Sequence, residues 1–248
     1  MAAFFLSLYC KTQIMKTVKL AFLFLCLLVS VNTVRSQNVV PDSEKLLDKL
    51  RLNKGIDGIE YETYQTVVGD PFLFKDFHKG ELAFKNGETY QLNMRYDIYA
   101  NQMHLKDNDQ IYGIIHPEAI ADIVIDTLKF LYCNYATSPS GENSGEGSYF
   151  ILKTDGKCEL LVRKKVRIQD AEPTKGMQEA KPARFVPLDD TYYLRQEGKN
   201  AVRIKGKKTL LTVLEDKKEE INKLIKTEKL STKNETDLLK IVSAYNSL

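Results

Sequence analysis

Ten residues, Thr89 to Ile98, restrict this chain more than any others. Tyr90, Leu92, Met94, Tyr96 and Ile98 alternate there with Thr89, Gln91, Asn93, Arg95 and Asp97. Successive side chains of an extended backbone point to opposite faces, so this alternation describes an antiparallel strand with one apolar and one wet face. Asn86-Gly87 stands just before it and suits the two positive-φ positions of a type I′ turn. The spacing predicts a β-hairpin over Glu81–Ile98.

The same period of two recurs downstream. Ile111–Ile115 and Ile123–Tyr135 read as strands, and Tyr149–Lys153 with Lys157–Ile168 as a hairpin about Asp155-Gly156. In the second arm of that hairpin Cys158, Leu160, Val162, Val166 and Ile168 face one way, and Glu159, Arg163, Lys165 and Arg167 the other. Tyr192–Arg195 and Ala201–Ile204 predict a last hairpin across Glu197-Gly198-Lys199-Asn200. Residues 136–147 and 169–184, rich in Gly, Ser, Pro and charge, read as exposed loops.

Helical spacing marks the two ends of the folded part. Residues 42–52 carry Leu46, Leu47 and Leu50 on one face behind a cap at Asp42 or Ser43. Segments 207–214 and 216–228 place leucines and isoleucines at helical intervals. Thr232 with Glu235 predicts a capping box for a final helix that buries Leu238, Leu239, Ile241, Val242 and Tyr245. The expected class is α+β, mainly antiparallel β: a large meander sheet or partly closed barrel over residues 37–206, with a helical cap, residues 207–248, packing on it. The strands lack the aromatic girdles of a membrane-spanning barrel.

The N-terminal pattern bears on compartment. Met15-Lys16-Thr17-Val18-Lys19 is basic, Leu20 to Val31 is apolar apart from Ser30, and Val34 and Ser36 are small enough for signal peptidase. Charge, grease and small residues in that order predict a secretory signal peptide over residues 1–36, cleaved before Gln37. Met15 is the expected start, with residues 1–14 an overrun. The apolar run is shorter than the ~20 residues of a bilayer span, which speaks against its rival, an uncleaved anchor. Leu25 before Cys26 does not suit a lipobox.

Cleavage would reverse the charge. The full chain holds 36 basic and 33 acidic side chains, a net +3. Lys11, Lys16, Lys19 and Arg35 leave with the signal and no acid does, so the mature chain stands at −1. Such a body lacks the electrostatic footprint of a nucleic-acid binder. The tail from Lys199 holds 12 basic and 7 acidic residues, which a solvated helix face accounts for best.

No reactive constellation stands out. His78, His104 and His116 lack zinc-ligand spacing. Asp107-Asn108-Asp109 lacks the glycine and terminal glutamate of a calcium loop and reads as a turn. The segment around Ser140 and Ser144 does not match a nucleophile elbow, and Gly206-Lys207-Lys208-Thr209 lacks the earlier glycine of a phosphate loop. No cofactor or metal site is expected. Cys133 and Cys158 fall two strands apart in the predicted order, beyond the ~7 Å Cα limit for a bridge. An oxidising compartment favours a disulfide; buried free thiols are the default expectation. Many strand positions are tyrosines; Tyr90, Tyr96 and Tyr99 are the candidates to line a ligand groove, although such residues more often fill a core.

The strings Gly69-Asp70-Pro71-Phe72-Leu73, Gly80 with Asn86-Gly87 and Tyr90, Arg95-Tyr96-Asp97-x-Tyr99, Tyr192-Tyr193-Leu194 and Ala244-Tyr245-Asn246 together resemble a family of uncharacterised exported proteins of Bacteroidota-type Gram-negative bacteria. Phe77 stands where that family often has a tryptophan. The resemblance implies only a compartment: the periplasm, or the periplasmic face of the outer membrane.

Three roles follow as expectations. The leading one is a non-catalytic envelope protein, binding or structural, with an envelope protein as partner and no membrane contact beyond the export signal. A second is a barrel that carries a small apolar ligand in a cavity lined by Tyr90, Leu92, Met94 and Tyr96. A third is a hydrolase whose site gathers two of the three histidines and a carboxylate.

Overall fold

The structure, a computed structural model, describes residues 56–58, 64, 66–108, 110–137, 143–174 and 179–248. The expected signal peptide and the helix at 42–52 lie outside the described residues. The strands are β1 (Ile56–Gly58), β2 (His78–Phe84), β3 (Thr89–Asp97), β4 (Gln102–Asp107), β5 (Gln110–Ile114), β6 (Ile120–Ile125), β7 (Leu128–Ala136), β8 (Asn143–Thr154), β9 (Cys158–Gln169), β10 (Arg184–Gln196) and β11 (Ala201–Arg203). Three helices follow: α1 (Lys207–Val213), α2 (Lys218–Thr227) and α3 (Glu235–Ser247). The architecture is a mostly antiparallel, partly ringed sheet with a C-terminal helical cap.

The first half is a meander in the spatial order β1-β5-β4-β3-β2-β6-β7. Strand β3 buries Tyr90, Leu92, Met94 and Tyr96 and exposes Thr89, Gln91 and Asn93, as its alternation requires. The β2–β3 turn differs from expectation. Only Gly87 has a positive φ, and its N–H donates to Phe84 O at 3.0 Å while Phe84 N donates to Glu88 O at 2.8 Å. A three-residue loop, a type I turn closed by a glycine in the left-handed region, replaces the two-residue I′ turn. Strand Ile123–Tyr135 is in fact two, β6 and β7, because Asp126 adopts φ 53° and reverses the chain. Gly80 lets three strands meet: a Cβ there would lie 2.5 Å from Val124 O and 2.6 Å from Met94 Cε.

The second half closes on itself. β7 pairs with β8, β8 with β9, β9 with β10, β10 with β11, and β11 returns to β7 in the only parallel pairing of named strands among the described residues. β10 is longer than expected. It begins at Arg184, inside the run read as an exposed loop, and carries Pro187 opposite Val166 next to a bulge between Leu188 and Thr191. A strand tolerates proline at such an irregularity. β8 likewise starts at Asn143, within the other expected loop.

Alternation along β7–β10 sorts side chains between two faces. Leu131, Tyr135, Phe150, Leu161, Tyr193 and Ala201 form a small core inside the ring. On the outside, Phe130, Tyr149, Ile151 and Val162 join the meander core, while Cys158, Leu160 and Leu194 pack under the helices. Asn101, in the β3–β4 turn, holds the meander against β8: its Oδ1 accepts from Tyr149 N at 3.2 Å and from Ser148 Oγ at 2.9 Å. The cap of α3 is Asn234, whose Oδ1 accepts from Asp237 N at 2.8 Å; Glu235 pairs with Lys153 at 2.9 Å instead of closing the box with Thr232. Asn246 ties α3 to the β8–β9 turn, accepting from Cys158 N at 2.9 Å and donating to Asp155 O at 3.0 Å.

Candidate functional site

The three groove candidates occupy different places. Tyr90 is buried, edge-on to Phe84 at 5.6 Å, and its hydroxyl donates to Glu88 at 3.1 Å. Tyr96 lies deeper, 5.6 Å from Phe130 and 5.7 Å from Tyr149, and donates to Asn101 Oδ1 at 2.9 Å; burial holds its phenol well above the ordinary value. Tyr99 is 42% exposed on another part of the surface, beside Tyr64 and Phe185. Tyr90, Leu92, Met94 and Tyr96 are packed with Leu82, Ile123, Ile125 and Phe130, so these side chains act as core.

The histidines do not converge. His78 pairs with Asp126 at 2.8 Å and His116 with Glu118 at 2.9 Å, both near the surface. His104 is 1% exposed beside the fully buried Asp97 at 3.9 Å. His78 stands opposite Met94, and His104 opposite the next residue, Arg95, so the two rings are on opposite faces of the meander. Burial, then the charge of Arg95, lowers His104 to about 3, which keeps the imidazole neutral. Asp97 accepts from Tyr64 Oη and Ala100 N, each at 2.8 Å, and burial raises its carboxyl above the usual value. Arg95 lies over Phe72 at 3.6 Å and Phe77 at 4.4 Å and donates to Lys75 O at 3.2 Å. Tyr64, Phe72 and Phe77 are thereby pinned to β3 and β4, a structural use of all these groups. Among the described residues no cluster of three His, Cys, Asp or Glu could hold a metal.

The cysteines are both free thiols. Cys133 points into the ring and Cys158 out toward the helices, on strands separated by β8. Opposite faces add to the separation inferred from strand order and rule out a bridge between them in this fold. Burial pushes Cys133 up to about 11 and Cys158 up to about 12, so both are poor nucleophiles. Asp107-Asn108 forms the β4–β5 turn, with Asn108 at φ 51°. Ser140 and Asp109 lie outside the described residues, as does the side chain of Ser144.

The arrangement that remains lies on the charged side of β9, opposite the side of Cys158, Leu160 and Val162. Glu159, Arg163 and Lys165 share a side of β9 with Leu161, and that side lines the ring. Arg163 stands opposite Thr191, and Arg203 opposite Tyr193, which in turn faces Leu161. The Arg163 guanidinium is 4.7 Å from the centre of the Tyr135 ring and lies beside both Tyr135 and Tyr193. Burial, then the charges of Arg163 and Arg203, holds the Lys165 amine below the ordinary lysine value. At the other end Glu159 is claimed by Arg195, whose Nη2 donates to Oε1 at 2.9 Å. Asp190 is engaged by Lys164 at 2.6 Å, on the outer side. Among the described residues no carboxylate ion-pairs with Arg163, Lys165 or Arg203. No helix among them is long and apolar enough to cross a membrane.

No protein-family model, curated protein or solved structure matches this chain.

Proposed function

We propose that this chain is an exported, non-catalytic protein of the cell envelope that acts by binding. The observation that carries the reading is how its reactive-type side chains are used. Asp97 anchors Tyr64, His104 and Arg95 meet Phe72, Arg95 covers Phe77, the two thiols are held protonated, and the remaining histidines each satisfy a separate carboxylate. None of these groups faces another across a cleft in the way acid–base or nucleophilic catalysis needs. The ring, where no described carboxylate ion-pairs with Arg163, Lys165 or Arg203, is the part of the described structure with binding capacity to spare. Export rests on the segment from Met15 to Ser36, and the resemblance to exported Bacteroidota-type proteins agrees with it.

The test is to express the full chain in a Gram-negative host, fractionate the cells and sequence the N-terminus of the purified protein. A chain beginning at Gln37, recovered from the periplasm or outer membrane, is expected. A cytosolic protein that retains residues 15–36 overturns the compartment and with it the envelope role.

A further inference from the structure

We propose that the mouth of the ring binds a phosphate group, free or as a terminal monoester, between Arg163, Lys165 and Arg203, with the Tyr135 and Tyr193 hydroxyls as further donors. This rests on the binding role above and names its ligand.

The mouth is opened by strand pairing. β8 pairs with β9 only from Ile151–Val162 to Thr154–Leu160, whereas residues of β8 before Ile151 pair with β7. Beyond Val162 the two strands separate, and Arg163 and Lys165 stand where they part. β11 brings Arg203 to the same side through its pairing with Tyr193. The floor beneath is closed: Tyr135, Phe150 and Tyr193 stack edge-on, with centroids 4.9–6.0 Å apart. A ligand therefore sits on the aromatic floor at the mouth and does not pass through.

Charge selects the ligand. Three cations stand on one side of the ring and, among the described residues, no carboxylate ion-pairs with them, a repulsive arrangement that an anion relieves. Burial first, and then the charges of Arg163 and Arg203, lower the affinity of Lys165 for its proton, which agrees with cations held close together. Two guanidinium forks, one ammonium and two phenols supply donors in several directions, which suits a tetrahedral dianion better than a flat monocarboxylate. The overall charge of the mature chain is near zero, so an extended polyanion such as nucleic acid finds no wider track, and a compact headgroup fits the local site.

The test uses the full chain purified after export. Thermal unfolding and calorimetric titration are run with inorganic phosphate, with glucose 6-phosphate, and with phosphatidylcholine vesicles containing or lacking phosphatidic acid, against chloride at equal ionic strength. Lys165→Gln and Arg203→Gln are compared with Lys199→Gln, and circular dichroism verifies that each is folded. Phosphate should raise the unfolding midpoint beyond chloride, and each mouth variant should weaken binding roughly tenfold while Lys199→Gln leaves it unchanged. Binding of phosphate alone points to a soluble anion, and binding of the monoester or the phosphatidic acid vesicles to a phosphorylated sugar or a lipid. The proposal falls if none of the probes outperforms chloride, or if Lys165→Gln and Arg203→Gln both bind as the parent does. In that event a chain found with Gln37 first in the periplasm would keep the envelope role, whereas phosphate binding by a chain that stays in the cytosol would break that role alone.

Discussion

The molecule has two β cores built on opposite principles. In the meander, Leu82, Met94, Met103, Leu105, Ile123 and Ile125 are fully buried on one face, and the polar Asp97 and His104 are enclosed on the other, against Tyr64 and Phe72. In the ring the apolar part shrinks to six residues, and charged side chains stand at both ends, paired as Arg195–Glu159 at one and, among the described residues, without an acidic partner at the other. The difference teaches where stability is held and where it is given up. A close-packed apolar core contributes free energy with every methylene, whereas like charges gathered at a mouth subtract from it and persist only where something else gains.

Substitutions can break that contrast. Leu82→Ala should be the most damaging, lowering the unfolding free energy by about 3 kcal/mol in urea titrations, since it opens a cavity among residues that cannot collapse. Acid should come next. His104 takes up its proton at about 3 when folded, against 6.5 when unfolded, so the unfolded chain binds more protons as pH falls below 6.5 and stability declines. The raised carboxyl of Asp97 works the other way, because the folded chain gains a proton there early. His104 alone accounts for a loss of about 2 to 3 kcal/mol between pH 6 and pH 4, which Asp97 reduces; urea midpoints should show the decline, and His104→Gln should flatten it. The smallest effect has the opposite sign. Lys165→Met removes a cation that burial and two arginines disfavour, so the thermal midpoint should rise, by less than about 1 kcal/mol in free energy because the amine is partly solvated. A ring variant that destabilises as much as Leu82→Ala would erase the contrast.

How far the sequence disclosed this fold depends on the range of the interactions involved. Strand β3 and helix α3 were legible because burial of Tyr90, Leu92, Met94 and Tyr96, or of Leu238, Ile241 and Val242, is written into local spacing. Local details were less so: Asn234 and Thr232 are both good caps, and only the path of the chain before α3 chooses between them. Ring closure was not legible, since it joins Ala201 to Tyr135 and Phe150 to Leu131, partners with no mark in either segment. The mouth escaped for a related reason. Alternating charge at Arg163, Lys165 and Arg167 has one pattern whether that side meets bulk water or a concave wall. The one hint was aromatic density, with Tyr135 and Tyr193 among the strand tyrosines.

β11 meets β7 through two residue pairs, Ala201 with Tyr135 and Val202 with Ala136, and β10 through two more, whereas β9–β10 and β7–β8 are joined along much greater lengths. A girdle fastened by so short a clasp is weakest at β11, on either of its sides. Thermal breathing would part the clasp while the longer ladders hold, widening the cationic end without unravelling the helices or the meander.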